Sequence, residues 1–171
     1  MWLSLVERFV RDEEVAGSNP VIPKFPPKAR KSTTVPKALF SRFNAASRRV
    51  LRVAEQECRN HSNYYVGAEH LLVALLEERD GGILSALDAD GIDVREVHAE
   101  VRRSLGTGEE RLWEGILVTP RVRKMIALAE THAGDREIEP IDLFEALRAE
   151  GGSLAAEILR RAAALRNPSG L

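Results

Sequence analysis

The chain writes one helical unit twice. A stretch near Asn44 to Gly82 returns, imperfectly, from Thr119 to Gly152. Arg48-Arg49-Val50-Leu51 leading to Ala54-Glu55 is answered by Arg123-Lys124-Met125-Ile126 leading to Ala129-Glu130. Leu71, Ala74 and Leu75 correspond to Leu143, Ala146 and Leu147. Gly81-Gly82-Ile83-Leu84-Ser85-Ala86 corresponds to Gly151-Gly152-Ser153-Leu154-Ala155-Ala156. A unit that cannot bury its apolar face alone must bury it against its copy, so the expected outcome is one pseudo-symmetric domain with a binding groove between copies.

Composition narrows the class. A length of 171 residues allows one domain with a sizeable core. A formal net charge of -1 announces neither a nucleic-acid nor a membrane partner. With 30% charged and 5% aromatic residues, the chain has the make-up of a soluble helical protein. The single Cys58 excludes an internal disulfide and fits a reducing cytoplasm. The apolar opening Met1 to Val6 is interrupted by Glu7 and Arg8 and is too short for a signal core or a membrane span.

Residues 1–38 differ from the rest. Pro20, Pro23, Pro26, Pro27 and Pro36 oppose helix and strand, and Lys24, Lys28, Arg30, Lys31 and Lys37 make the stretch basic. A disordered basic tail is the plain reading, and a nucleic-acid arm is a weaker one. A third reading is favoured. Glu14-Val15-Ala16-Gly17-Ser18-Asn19-Pro20-Val21 resembles the peptide produced when a transfer-RNA gene is translated, with Gly-Ser-Asn-Pro encoded by the T-arm consensus. The expected start is then Val35 as a GTG codon.

Helical signals begin at Asn44, a good N-cap. Ala46, Val50, Val53, Ala54 and Cys58 recur at helical spacing, and a second helix is expected from Ala68 to Arg79 with Leu71, Leu72, Leu75 and Leu76 apolar. Gly81-Gly82 breaks it, a third helix carries Ile83, Leu84, Ala86 and Leu87, and Asp93 caps a fourth through Val94, Val97, Val101 and Leu105. A linker runs from Gly106 to Val118. Thr119-Pro120 opens the second copy, Pro140 starts its next helix, and a last helix runs from beyond Gly151-Gly152 to Leu165, ended by Asn167-Pro168-Ser169-Gly170. The expectation is a helical domain over 39–166 and a short tail over 167–171.

Three phrases, in order, carry a family resemblance: Phe40-Ser41-Arg42-Phe43-Asn44, Tyr65-Val66-Gly67-Ala68-Glu69-His70-Leu71-Leu72 and Thr119-Pro120-Arg121-Val122-Arg123-Lys124. The arrangement from about Phe40 to Leu165 resembles the N-terminal substrate-binding domain of the Clp AAA+ unfoldases, most closely the ClpC branch. The resemblance implies an all-α fold of two Clp repeats, here four helices followed by a shortened copy of three. It departs from the family in lacking a closing helix, in carrying Glu139-Pro140-Ile141-Asp142 where the second Gly-Thr-Glu-His phrase belongs, and in Ala68, which replaces a capping Thr. That last change costs about 1 kcal/mol unless Gly67 takes over the cap. No Gly-x4-Gly-Lys-Ser/Thr loop is present to cradle phosphates.

The implied function is non-enzymatic: a binding module for substrates, adaptors or small ligands of the Clp system, in a bacterial cytoplasm, with no cofactor. The implied partners are Clp unfoldase or protease subunits and adaptor or client proteins. The alternative is a small regulatory or nucleic-acid-binding helical protein that kept the fold without the Clp connection. ClpC relatives can bind phosphorylated arginine, which needs a carboxylate for the guanidinium and helix-end amides for the phosphate. Glu69 matches the acidic position, with Asn44 and the amides of Ala45 and Ala46 as the expected phosphate partners. Glu69 can equally complement the helix dipole. The second-copy counterpart is Ile141, which cannot hold a guanidinium, so one site at most is expected. Phe40, Phe43, Thr119 and Arg121 are candidate groove residues.

Other chemistry is disfavoured. His70 and Glu69 are adjacent on a helix, about 100° apart, which suits a structural histidine better than an acid–base pair. Cys58 and His61 make at best half a zinc site. Arg48, Arg49, Arg52, Arg59, Arg121, Arg123 and Lys124 read first as solvated helix faces and second as a docking surface. Acids interleave with these cations and no aromatic platform accompanies them, against nucleic acid. Residues 1–38 are expected to contribute nothing to the fold. A chain begun at Val35 should therefore melt, by circular dichroism, within about 2–4 °C of the full chain, the shift that roughly 1 kcal/mol makes at this size. A larger drop would show that the extension packs on the domain.

Overall fold

The computed structural model describes residues 40–108 and 117–166. The expected extension over 1–38 and the tail over 167–171 lie outside the described residues, as does most of the expected linker. Among the described residues there are seven helices and no strand: α1 Ala45–Asn60, α2 Ala68–Glu78, α3 Gly81–Ala89, α4 Val94–Ser104, α5 Pro120–Ala133, α6 Pro140–Glu150 and α7 Leu154–Arg166. The all-α architecture of four helices and then three is the expected one.

Each start has a local cause. The Asn44 side chain accepts from the Ser47 amide at 2.8 Å, and the Thr119 hydroxyl accepts from Val122 at 3.3 Å ahead of Pro120. Asp93 caps α4 through the amides of Arg95 and Glu96. Gly81 and Gly82 do more than break α2. They form the first turn of α3, with the Asp80 carboxylate accepting from Gly82 and Ile83. Sequence reading missed Asp80 because the glycines dominate the local signal.

Two helices are interior. Every side chain from Leu71 to Leu76 is buried, including Val73 and Ala74, which fall outside the apolar stripe expected from periodicity. The reason is position: α2 packs against α1, α4, α6 and α7 at once, and a helix covered on all sides must be apolar all round. In the second copy α6 takes the corresponding place, with Leu143, Phe144, Ala146 and Leu147 fully buried. The most extensive helix pairings are α1 with α2 and α5 with α6, so each copy contributes one helix pair to the common core.

The copies are joined by backbone as well as by side chains. Phe43, ahead of the α1 N-cap, bridges to Ile138, ahead of the α6 N-cap: Asn44 N–H donates to Ile138 O at 3.1 Å and Ile138 N–H to Arg42 O at 2.8 Å. Val66, ahead of the α2 N-cap, bridges to Val118, ahead of the α5 N-cap: Val66 N–H donates to Leu117 O at 2.7 Å and Thr119 N–H to Val66 O at 3.1 Å. Exchanging the copies turns one bridge into the other, so the pseudo-two-fold is written in hydrogen bonds. The Ser47 hydroxyl also donates to Ile138 O, at 2.8 Å and out of water. Phe43 sits at this seam, fully buried, with Phe40 edge-on against it at 5.5 Å. Truncating Phe43 opens a void where the copies meet. Phe43→Ala should cost about 3–5 kcal/mol, read as a lower urea midpoint at unchanged slope. A loss near zero would mean that the seam is not part of the cooperative core.

Candidate functional site

The start of α2 forms a cleft of about 360 Å³ lined by Tyr64, Tyr65, Gly67, Glu69, Ser104 and Leu154, among others. Tyr65 is 51% exposed and Leu154 40%, so an aromatic and an aliphatic surface flank the carboxylate of Glu69. That carboxylate, half-buried, has no ion-pair partner among the described residues. It leans back over the helix end: a Cβ on Gly67 would lie 3.0 Å from Glu69 Oε2, so a larger residue there would displace it. Position and dipole agree, because the first-turn amides of α2 favour negative charge at this point.

Gly67 does take the cap position expected to be weakened by Ala68. Its N–H donates to His70 Nδ1 at 3.1 Å, and His70 Nε2 lies 3.2 Å from the Asn63 side-chain amide. An accepting Nδ1 fixes the neutral tautomer with the proton on Nε2, so the Asn63 oxygen is the chemically consistent partner. Burial pushes the His70 pKa below the ordinary histidine range; Glu69 and Glu57 pull it up and His61 pulls it down, without reversing the shift. His70 is thus a structural residue, bonded to backbone in the way the sequence favoured.

The second copy solves the same problem with a different group. Asp142 occupies the place of His70 and accepts from the Glu139 N–H at 2.9 Å. Burial alone would raise its pKa, but the paired hydrogen bonds from Arg136, both at 2.5 Å, and the Glu139 amide bring it below the usual value. Ile141, the counterpart of Glu69, packs on the core and presents no carboxylate.

The backbone rearranges the expected constellation. The bridge at Val66 sets the α2 start, with Glu69, beside Thr119 at the start of α5. Asn44, which leads into Ala45 and Ala46, donates its N–H to Ile138 O beside the start of α6. The two helix starts expected to act together therefore belong to different seams. Thr119, expected only as a groove residue, is bonded through its backbone N–H to Val66 O, just before α2. Arg121, also exposed there, reaches Glu150 at 3.5 Å. Phe43 cannot line an open groove, since it is fully buried; Phe40 covers it.

The remaining candidates are structural. Cys58 is buried, its thiol directed at the Asn63 carbonyl at 3.0 Å and its pKa pushed up to about 11, chiefly by burial. His61 Nδ1 lies 3.0 Å from the Gly106 carbonyl oxygen. Sequence reading missed Glu57, a buried acid gripped by Arg102 at 2.8 Å. Arg102 sits 45 residues away, so no local pattern links the two.

A helical repeat module with a cleft at the seam of its copies is the class that this geometry defines. Its family follows from comparison. Residues 42–162 match the Clp repeat (R) N-terminal domain, and the chain belongs to that family. It is 30% identical over 135 residues to the chloroplastic chaperone protein ClpC of Pisum sativum, covering 77% of this chain and 15% of that protein. It is 29% identical over 157 residues to the chloroplastic ClpA homolog CD4B of Solanum lycopersicum, covering 90% of this chain and 17% of that protein. The chaperone protein ClpB of Oceanobacillus iheyensis is 28% identical over 124 residues, again over 15% of its own length. The chain thus spans about a sixth of the curated relatives it matches. The N-domain of ClpV from Vibrio cholerae has the same fold, with a TM-score of 0.60 at 19% identity over 77% of this chain and 82% of that one. No helix among the described residues is long and apolar enough to cross a membrane.

The His70 cap gives a pH test. Its folded pKa is lowered, so below the ordinary value of about 6.5 the unfolded chain binds a proton that the folded chain resists. The stabilisation is present above that pH and is lost as pH falls through it. Urea midpoints should therefore decrease between pH 7.5 and 5.5, and His70→Gln should flatten that part of the profile. An unchanged slope in the variant would assign the loss to other groups.

Proposed function

We propose that the protein is a non-catalytic recognition module of the Clp system, binding client or adaptor proteins at the start of α2. The observation that carries this reading is Glu69: a carboxylate without an ion-pair partner among the described residues, over a helix N-terminus, in a cleft between Tyr65 and Leu154. A carboxylate beside an aromatic ring suits a guanidinium. The neighbouring Thr119 helix start, with a hydroxyl and the Arg121 amide, suits a phosphate. Phosphorylated arginine on a client combines the two groups. The family membership supports a Clp-system role, and the buried, high-pKa Cys58 is compatible with a reducing cytoplasm. Partners on this reading are Clp unfoldase or protease subunits and their adaptors or clients.

Titration of free phosphoarginine, followed by amide NMR shifts, tests the site. One weak binding event is expected, with shifts over Gly67 to His70 and at Thr119 to Val122. Glu69→Ala should abolish it, consistent with the loss of a charge-assisted pair worth about 1.5–3 kcal/mol. Shifts at Asn44 to Ala46 that depend on Glu69 would restore the pairing expected from sequence. Equal binding by Glu69→Ala would remove Glu69 from the site.

A further inference from the structure

A second cleft shares no lining residue with the one at Glu69. The last turn of α2 with α3 and α4 encloses about 540 Å³. Its floor is aliphatic, formed by Leu76, Leu84 and Val94, and Leu84 is 36% exposed. Arg79 and Arg95 line the same space and are exposed. Neither has an ion-pair partner among the described residues, whereas Arg49 and Arg102 are held by Glu78 and Glu57. Of the carboxylates close in sequence, Glu77, which lines the cleft as well, is bonded to His98 at 3.2 Å, Asp80 accepts from the amides of Gly82 and Ile83, and Asp93 from those of Arg95 and Glu96, while Glu96 is exposed on α4 outside the lining.

Arg79 is also held against its own backbone preference. It ends α2 in the left-handed region, at φ 53 and ψ 41. The residue in the same C-cap position of α6 is Gly151, at φ 67, although the sequence repeat pairs Gly151 with Gly81, which opens α3 instead. Glycine adopts this conformation freely, while a side chain with a Cβ is disfavoured there. A glycine would thus serve the turn better, yet the first copy places a long cation here, at the edge of an apolar floor. A disfavoured backbone conformation kept for a residue that lines the cleft points to a use for its side chain.

We propose that this cleft docks an acidic segment of a partner protein, with one aliphatic side chain on the floor and carboxylates on Arg79 and Arg95. The floor supplies apolar burial, and the two guanidinium forks supply charge complementarity. The proposal stands apart from the reading of Glu69, because the two clefts use different residues.

The probe is a fluorescein-labelled peptide, Gly-Glu-Asp-Leu-Asp-Glu-Leu-Gly, titrated into the full chain and read by anisotropy and amide shifts. Shifts are expected at Leu84, Val94 and His98, with binding that weakens as salt rises. Arg79→Gly should raise the melting temperature by relieving the turn, yet weaken the peptide about tenfold. Arg95→Gln should weaken it by a similar factor with little change in melting. Replacing both leucines of the peptide by serine, or its acids by lysine, should abolish binding. Equal affinity for wild type and both variants would overturn the proposal, as would shifts confined to Gly67 to His70. Inorganic phosphate that produces the same shifts and displaces the peptide completely would replace it with a simple anion site. No shift at about 1 mM peptide, the weak end of a specific contact, would also overturn it.

Discussion

Four backbone hydrogen bonds in two short bridges hold the copies in register. Buried N–H and C=O groups must be paired, and at Ile138 and Val66 both backbone groups find their partners in the other copy. That requirement fixes which helix starts are neighbours: α1 with α6, and α2 with α5. Apolar packing of α2 and α6 supplies the bulk of the driving force, but it is non-directional. The bridges, with the Ser47 hydroxyl on Ile138, add the direction. Any ligand reading at a helix start inherits its geometry from them.

On this symmetric frame the copies have diverged at equivalent points. His70 and Asp142 both bond the amide at their helix start, one as a neutral imidazole and the other as a carboxylate gripped by Arg136. Glu69 faces a cleft, whereas Ile141 packs on the core. Arg79 ends its helix under strain, whereas Gly151 does so without it. Each change leaves the backbone path intact and alters only what the end of the helix displays. The first copy thus displays a carboxylate and a cation at helix ends where the second has Ile141 and Gly151.

Much of the fold was legible because its signals are local. Caps at Asn44, Asp93 and Thr119 with proline next to it act within one turn, and apolar spacing is a property of a single helix. Asp80 escaped notice because two glycines read as a break, although a capped helix can begin on them. The full burial of Val73 and Ala74 was also invisible, since it depends on four helices meeting around α2.

The sequence by itself determined the double repeat, the seven helices, the structural role of His70 and the absence of a carboxylate at Ile141, since all of these follow from residue identity and short-range spacing. Only the tertiary structure decided that the α2 start is bridged to the α5 start and that Asn44 belongs to the other seam. It alone showed that Phe43 is interior, that Arg102 grips Glu57, and that Arg79 and Arg95 share a cleft. The physical reason is that these are relations between segments remote in the chain or placed by helix packing, and the bridges that create them are backbone hydrogen bonds, which carry no side-chain signature in the sequence.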